Sequence, residues 1–332
     1  MGRRILPSCS FPLSLMALLN HHLPDYRIAI VGSGAVGCYY GGRLAQYGRD
    51  VHFLMRSDYD HVKRHGLKIL SKQGDAHLQG VKVHRTAADI GPCDLVIIAL
   101  KTTSNEALHD IIPPLLHENT MLLTLQNGLG NEELLAERYG AERVLGGLCH
   151  VCINRTGPGV IEHLAQGLIA LGEHSGWPQP RTHEIASEFK RCGIVCNVEE
   201  SLSTARWRKL VWNIPFNGLS IVGGEGRTGL DTAQILADDS LTYLVRALMH
   251  EVIGAARKLG GEIPSSLADD MIKSTKGMGG YRTSSLIDFE EGREVELDAI
   301  WGEPLRRAAN AGAEVGRLET LYYLLKRKLG SQ

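Results

Sequence analysis

Tyr26-Arg-Ile-Ala-Ile-Val-Gly-Ser-Gly-Ala-Val-Gly-Cys-Tyr-Tyr-Gly-Gly-Arg-Leu-Ala-Gln-Tyr-Gly-Arg-Asp-Val-His-Phe-Leu-Met-Arg56 reads as strand, glycine turn, helix and strand. Ile28 to Val31 form a short apolar run, and Gly32, Gly34 and Gly37 follow at G-x-G-x-x-G spacing. Ala35 to Gln46 carry helical spacing, Gly48 stops the helix, and Val51 to Met55 form the next strand. Gly32 permits a tight turn, Gly34 lets the backbone approach a pyrophosphate, and Gly37 lets helix and strand pack closely. Ser33, Ala35 and Val36 complete the turn, where free N–H groups and the helix dipole favour phosphate. A glycine pattern framed by strand and helix in this way predicts a Rossmann-type dinucleotide site; the glycines alone would be a weak signal.

The end of the second strand selects the dinucleotide. An NAD site usually places an acid there to accept from the ribose 2′-hydroxyl. Here the position reads Met55-Arg56-Ser57, with no acid before Asp58. Arg56 can pair bidentately with a 2′-phosphate and Ser57 can donate to it, which favours NADP(H).

At 332 residues the chain suits two domains. A net charge of −1 gives no basic excess for nucleic acid, so any anion site must be local. No apolar run approaches the length of a membrane span. Seven cysteines, an odd number in a long chain, point to a reducing, cytoplasmic setting. Cys149-x-x-Cys152 and Cys192-x3-Cys196 lie in apolar, strand-like runs and read as core thiols, so no metal is expected. Residues 1–25 imitate a signal peptide, but Pro7 and Pro12 interrupt the apolar run and no A-x-A-like site follows. They are expected to be a disordered extension or the product of a mis-chosen start, with Met16 as the alternative.

Further along, Gly66 to Leu70, Ala76 to Leu78 and Val81 to His84 read as short strands, and Asp94 to Leu100 as a buried one ending in Lys101. Thr120 to Leu125 is another, running into Gln126-Asn-Gly-Leu-Gly130. Lys101 and Asn127 therefore stand at carboxyl ends of strands, where open α/β sheets bind ligands. Strand runs at Arg143 to Gly147 and near Val151, Val160 and Leu168 complete a mixed sheet. Beyond about residue 200 the pattern becomes helical: Ser203 to Asn217, Thr232 to Leu259, Leu267 to Lys276 and Glu294 to Gly312. The fold expected is α/β, with a Rossmann-type doubly wound sheet over residues 26–200 and an all-helical domain over 201–332, and a cleft between them.

A nicotinamide cofactor carries hydride, so the protein must supply a proton and fix the substrate. Lys209, Asn213 and Asn217 recur at i, i+4 and i+8, which puts an ammonium and two amides on one helix face. Partial burial of Lys209 would lower its pKa and suit it to proton transfer. Ser284 and Ser285 stand near a helix start and can bind a carboxylate, while Glu296 and Asp298 open the next helix, where acids are favoured by the dipole in any case.

Together these pieces resemble the ketopantoate reductase (2-dehydropantoate 2-reductase) family. The resemblance is carried by Gly32-Ser-Gly-Ala-Val-Gly37 with Arg56, Leu100-Lys101, Gln126-Asn-Gly-Leu-Gly130, Trp207-Arg-Lys-Leu210 with Asn213 and Asn217, and Ser284-Ser285 leading to Glu296-Leu-Asp298. It implies NADPH-dependent reduction of a small 2-oxo acid, ketopantoate first. Lys209 would then be the general acid and Glu296 the group that orients the substrate's oxygens. Asn213, Asn217 and Ser285 would contact substrate, Lys101 and Asn127 would lie by nicotinamide and ribose, and Arg56 would hold the 2′-phosphate.

The chain departs from the family at Asn217-Gly218, where Asn-Pro is frequent, at Pro215, at Tyr281-Arg-Thr283 before the serines, and at Leu286-Ile-Asp-Phe289. A relative acting on another 2-oxo acid, or oxidising a 2-hydroxy acid, is the second reading. A non-catalytic NADP sensor is the third, disfavoured because a sensor needs no proton donor. Amphipathic helices do not reveal oligomeric state, so a homodimer stays open.

Overall fold

Strands β1 (Arg27–Val31) and β2 (Asp50–Leu54) flank the helix Ala35–Gln46, in the order expected. The structure, a computed structural model, describes residues 26–330, and the extension expected over residues 1–25 lies outside them. Strands β3 (Leu67–Ser71), β4 (Ala76–Leu78), β5 (Lys82–His84), β6 (Leu95–Ile98), β7 (Met121–Thr124), β8 (Val144–Gly157), β9 (Val160–Glu173) and β10 (Cys196–Val198) complete one sheet.

Six strands run parallel in the spatial order β5-β2-β1-β6-β7-β8. Counted among themselves they follow 3-2-1-4-5-6, the order of a dinucleotide-binding doubly wound sheet. All four side chains of β6 and of β7 are buried, as a strand covered on both faces requires. Tyr40, Leu44, Ile185 and Phe189 cover one face, and Ala87, Ile90, Leu108 and Ile112 the other. The strands β3 and β4 leave this order. After β2 the chain crosses to the far side, where β3 lies parallel to the start of β9 and β4 antiparallel to β3.

The fragments expected near residues 143, 151, 160 and 168 are two 14-residue strands forming one antiparallel hairpin. Register irregularities at His150/Val151, Cys152/Ile153 and Arg155/Gly157 break the alternation of side chains, so the sequence reads as separate pieces. The helix Pro180–Arg191 follows, and β10 then adds to the second half of β9.

From Leu202 onward the described residues are helical, around a separate core that includes Trp207, Phe216, Met249 and Trp301. The helix expected over Ser203 to Asn217 extends to Val222 and contains Pro215, and Trp301 Nε1 donates to Ile214 O at 3.0 Å beside it. The run expected as one helix from Thr232 to Leu259 is two, Thr232–Ala237 and Asp239–Lys258, because Asp238 turns extended and caps Leu241 N at 2.9 Å. The helix expected from Glu294 to Gly312 starts later. Helical winding begins at Leu297, a π-type turn spans Asp298–Gly302, and the α-helix occupies Glu303–Asn310, with Pro304, which has no N–H to donate to the preceding turn, in its first turn. Glu296 therefore sits on irregular backbone rather than in a helix.

Candidate active site

Ligands of open α/β sheets sit at carboxyl ends of strands where the order reverses, which here is between β1 and β6. The three glycines have distinct jobs at that point. Gly32 has φ 101° and lies so close to β6 that a Cβ would stand 2.3 Å from Leu100 N. A Cβ on Gly37 would stand 2.2 Å from Gly32 O, whereas one on Gly34 would meet open space. Gly34 thus leaves the cradle that a pyrophosphate needs, beside the uncommitted N–H groups of the turn Ala35-Val36-Gly37. Ser33 Oγ donates to Leu54 O at 2.7 Å, which ties the turn to the end of β2.

Beyond β2, Arg56 is exposed and makes no ion pair among the described residues. Asp58, the first acid, is occupied: Oδ1 accepts from Arg155 Nη1 at 2.8 Å and from Ser57 Oγ at 3.0 Å, and Oδ2 accepts from Gly159 N at 3.0 Å. Among the described residues, the acid that follows this strand end is thus already engaged and is not free for a ribose 2′-hydroxyl.

From the helical half, the helix Leu202–Val222 presents Lys209, half-buried, to the loop after β7. Its ammonium donates to Asn127 Oδ1 at 2.8 Å and to Cys149 O at 2.9 Å. Burial lowers its pKa to about 8; the Arg206 charge acts in the same direction, while Cys149 and Glu296 oppose it. Glu296 is 9% exposed, and its Oε1 accepts from Thr102 N at 2.9 Å. Burial raises its carboxyl pKa, with the Thr102 N–H and Lys101 pulling it back. Asn217, one helix turn beyond Asn213, is buried with its amide engaged at both ends: Nδ2 donates to Asn213 O at 3.0 Å and Oδ1 accepts from Ser285 N at 3.2 Å. Ser285 is buried beneath the Thr283 cap, whereas Ser284 faces solvent.

The spacing of Lys209, Asn213 and Asn217 thus brings one helix face against Asn127 and Ser285, and Glu296 is close enough to act on Lys209. Lys101 reaches the helical half, where its ammonium pairs with Asp288, which also accepts from Arg293 Nε at 2.9 Å. Three contributors went unread in the sequence. The Cys149 carbonyl and the Thr102 N–H belong to the backbone and carry no signature. Asp288 stands between Ile287 and Phe289, ahead of Glu290 and Glu291, where nothing in the sequence sets it apart from its acidic neighbours.

The loop Gln126 to Gly130 is clasped by the helical half. Leu129 N donates to Ala299 O at 2.9 Å, and Gly128, at φ 79°, packs so close that a Cβ would lie 2.2 Å from the same oxygen.

Two family models match. Residues 28–176 fit "Ketopantoate reductase PanE/ApbA" and residues 201–329 its C-terminal counterpart. A curated relative from Nostoc sp., named 2-dehydropantoate 2-reductase, is 42% identical over 91% of this chain and 95% of its own. The solved structure of 2-dehydropantoate 2-reductase from Geobacter metallireducens is 46% identical with a TM-score of 0.88, over 91% of this chain and 99% of that one. D-mandelate dehydrogenase, solved with NADH and anilino(oxo)acetate, shares the fold at 20% identity and a TM-score of 0.83, over 92% and 98% of the two chains. The chain belongs to the ketopantoate reductase family and is an oxidoreductase.

Proposed function

We propose that this family member reduces 2-dehydropantoate (ketopantoate) to pantoate with NADPH in the cytoplasm, on the route to pantothenate and coenzyme A. The observation that carries the reading is the half-buried Lys209 ammonium, held between Asn127 Oδ1 and Cys149 O at the carboxyl end of the sheet. The reduced nicotinamide, when bound, supplies the hydride. Lys209 gives its proton to the carbonyl oxygen as the C2–H bond forms, leaving a neutral amine that burial favours. A pKa of about 8 suits this task, because the ammonium is mostly protonated at neutral pH and yet is a better acid than an exposed lysine.

Glu296, aimed by the Thr102 N–H, accepts from the substrate's hydroxyl and orients its oxygens. Asn213, Asn217, Ser284 and Ser285 form the substrate-binding wall, with Asn217 holding Ser285 in place. Gly32 to Gly37, Lys101 and Asn127 hold the cofactor. The uncommitted Arg56 takes the 2′-phosphate, and the engagement of Asp58 by Arg155 supports NADP(H) over NAD(H). Residues 26–200 act as the cofactor domain and 201–332 as the substrate domain.

Tyr281 favours a second reading, a 2-oxo acid with a different tail: its ring lies 6.2 Å from that of Trp212, one residue before Asn213. The test is NADPH oxidation on addition of ketopantoate by the wild type and by Lys209→Ala. Turnover in the wild type that is lost in the variant, with NADPH affinity kept, is the expected result. Equal turnover in both would remove Lys209 from the chemistry.

A further inference from the structure

One turn before Lys209, Arg206 is 4% exposed and points the same way, into the loop after β7. Its Nη1 donates to Gln126 O at 2.7 Å, and its Nη2 pairs with Glu132, itself 4% exposed, in the first turn of the helix Asn131–Tyr139. Gly146 on β8 makes room for that carboxylate, since a Cβ there would clash with Glu132 Oε1 at 2.4 Å. Between these two anchors stands Asn127, whose side chain receives Lys209. Its backbone oxygen accepts from Asn131 Nδ2 at 2.9 Å; Asn131 Oδ1 accepts from Asn105 Nδ2 at 3.0 Å; and Asn105 Oδ1 accepts from Gln126 Nε2 at 2.7 Å. The amides close a ring from Gln126 back to Asn127, and the guanidinium fastens that ring to the helix of Lys209.

We propose that the Arg206–Glu132 pair is a positioning device for proton transfer: it locks the Gln126–Asn127 backbone to the helix that carries Lys209, so that the ammonium and the Asn127 amide meet in one geometry. A buried ion pair is a poor source of stability, because desolvating both charges offsets their attraction. What it does supply is a fixed distance and angle, and loss of alignment at a reacting group is costly in rate. The pair also acts through space on Lys209. The ammonium faces Arg206 on its own helix, Cys149 and His150 on β8, and Glu296 on the segment after the serines. Arg206 is a nearby cation that disfavours the ammonium form, and Glu132 partly neutralises it.

The proposal rests on Lys209 being the proton donor, so its test has an arm that needs no substrate. In Glu132→Gln, a near-isosteric change, the unmasked guanidinium should lower the Lys209 pKa; in Arg206→Met its loss should raise it. Both shifts are read by a lysine 13Cε NMR titration of the Lys209 resonance, identified by its absence in Lys209→Met. In turnover with NADPH and ketopantoate, the alkaline limb of kcat/KM should move the same two ways. In both variants kcat should fall on the order of tenfold while NADPH affinity stays within about threefold. If Arg206→Met does not fold, Glu132→Gln decides alone. Folded variants whose Lys209 titration and kcat match the wild type would overturn the proposal. Shifted titrations in a protein that reduces no 2-oxo acid would uphold the device and overturn the proposed reaction instead.

Discussion

Lys209 sits where burial and chemistry pull in one direction: the same desolvation that makes its charge costly makes it a better acid. A general acid must be protonated to act, so activity is expected to fall as pH rises through the lysine's lowered pKa. The alkaline limb of kcat/KM should centre near pH 8, well below the range of an ordinary lysine. A profile flat to pH 10 would contradict that role. Lys209→Ala is expected to lower kcat by on the order of 10²- to 10⁴-fold, the usual size of a lost acid–base group, with little change in NADPH Kd by fluorescence titration. Arg56, exposed and without an ion pair among the described residues, should behave differently. Arg56→Ala should weaken NADPH binding and narrow the preference over NADH, with kcat at saturation nearly intact; an unchanged ratio of the two Kd values would sink the 2′-phosphate assignment. The face of Lys209, Asn213 and Asn217 was legible in the sequence because helical spacing fixes which residues share a side. The groups they meet were less so. Cys149 O and Thr102 N are peptide groups, and the Asp58–Arg155 pair spans 97 residues, a separation that no local pattern reports.

The parallel strands were legible because each is a short apolar run followed by a turn, and β6 and β7, buried on both faces, are the plainest cases. Where the structure parts from the sequence reading, a local interruption is the cause. Irregular pairing splits the pattern of the β8–β9 hairpin, Asp238 caps a new helix inside what looks like one continuous apolar stripe, and a π-type turn at Asp298–Gly302 precedes the α-helix after Glu296. The loop from Gln126 to Gly130 shows the reverse, an element whose turn chemistry the sequence announced but whose partner it did not. Gly128→Ala forces a side chain into positive φ and against Ala299 O. It should lower stability by more than about 1 kcal/mol, the scale at which a substitution incompatible with native backbone exceeds the usual glycine effect. Thermal unfolding checks this, and a Tm equal to the wild type would mean that the loop does not press on Ala299.

Across the whole molecule, the polar contacts between the sheet half and the helical half include Lys101 with Asp288, Thr102 with Glu296, Leu129 with Ala299, Lys209 with Asn127, Arg206 with Glu132, and Arg307 with Glu133 at 2.6 Å. Most of these are also the groups assigned to the reaction, so the junction between the halves and the site are one structure. The Arg307–Glu133 pair is not among them and is partly exposed, with 29% and 47% of the two side chains accessible. Exposed pairs contribute about 0–1 kcal/mol, so Glu133→Ala should shift Tm by only a few degrees and leave kcat near the wild-type value; a tenfold loss of kcat would show that this contact, too, sets the geometry of the cleft. The measurement that bears most directly on the whole account is kcat/KM for NADPH oxidation with ketopantoate, set beside a panel of other 2-oxo acids. The account predicts that ketopantoate is turned over with the highest kcat/KM of the panel. Tight NADPH binding with little ketopantoate turnover, and efficient reduction of another 2-oxo acid, would contradict it and direct attention to Tyr281 and the wall around Ser285.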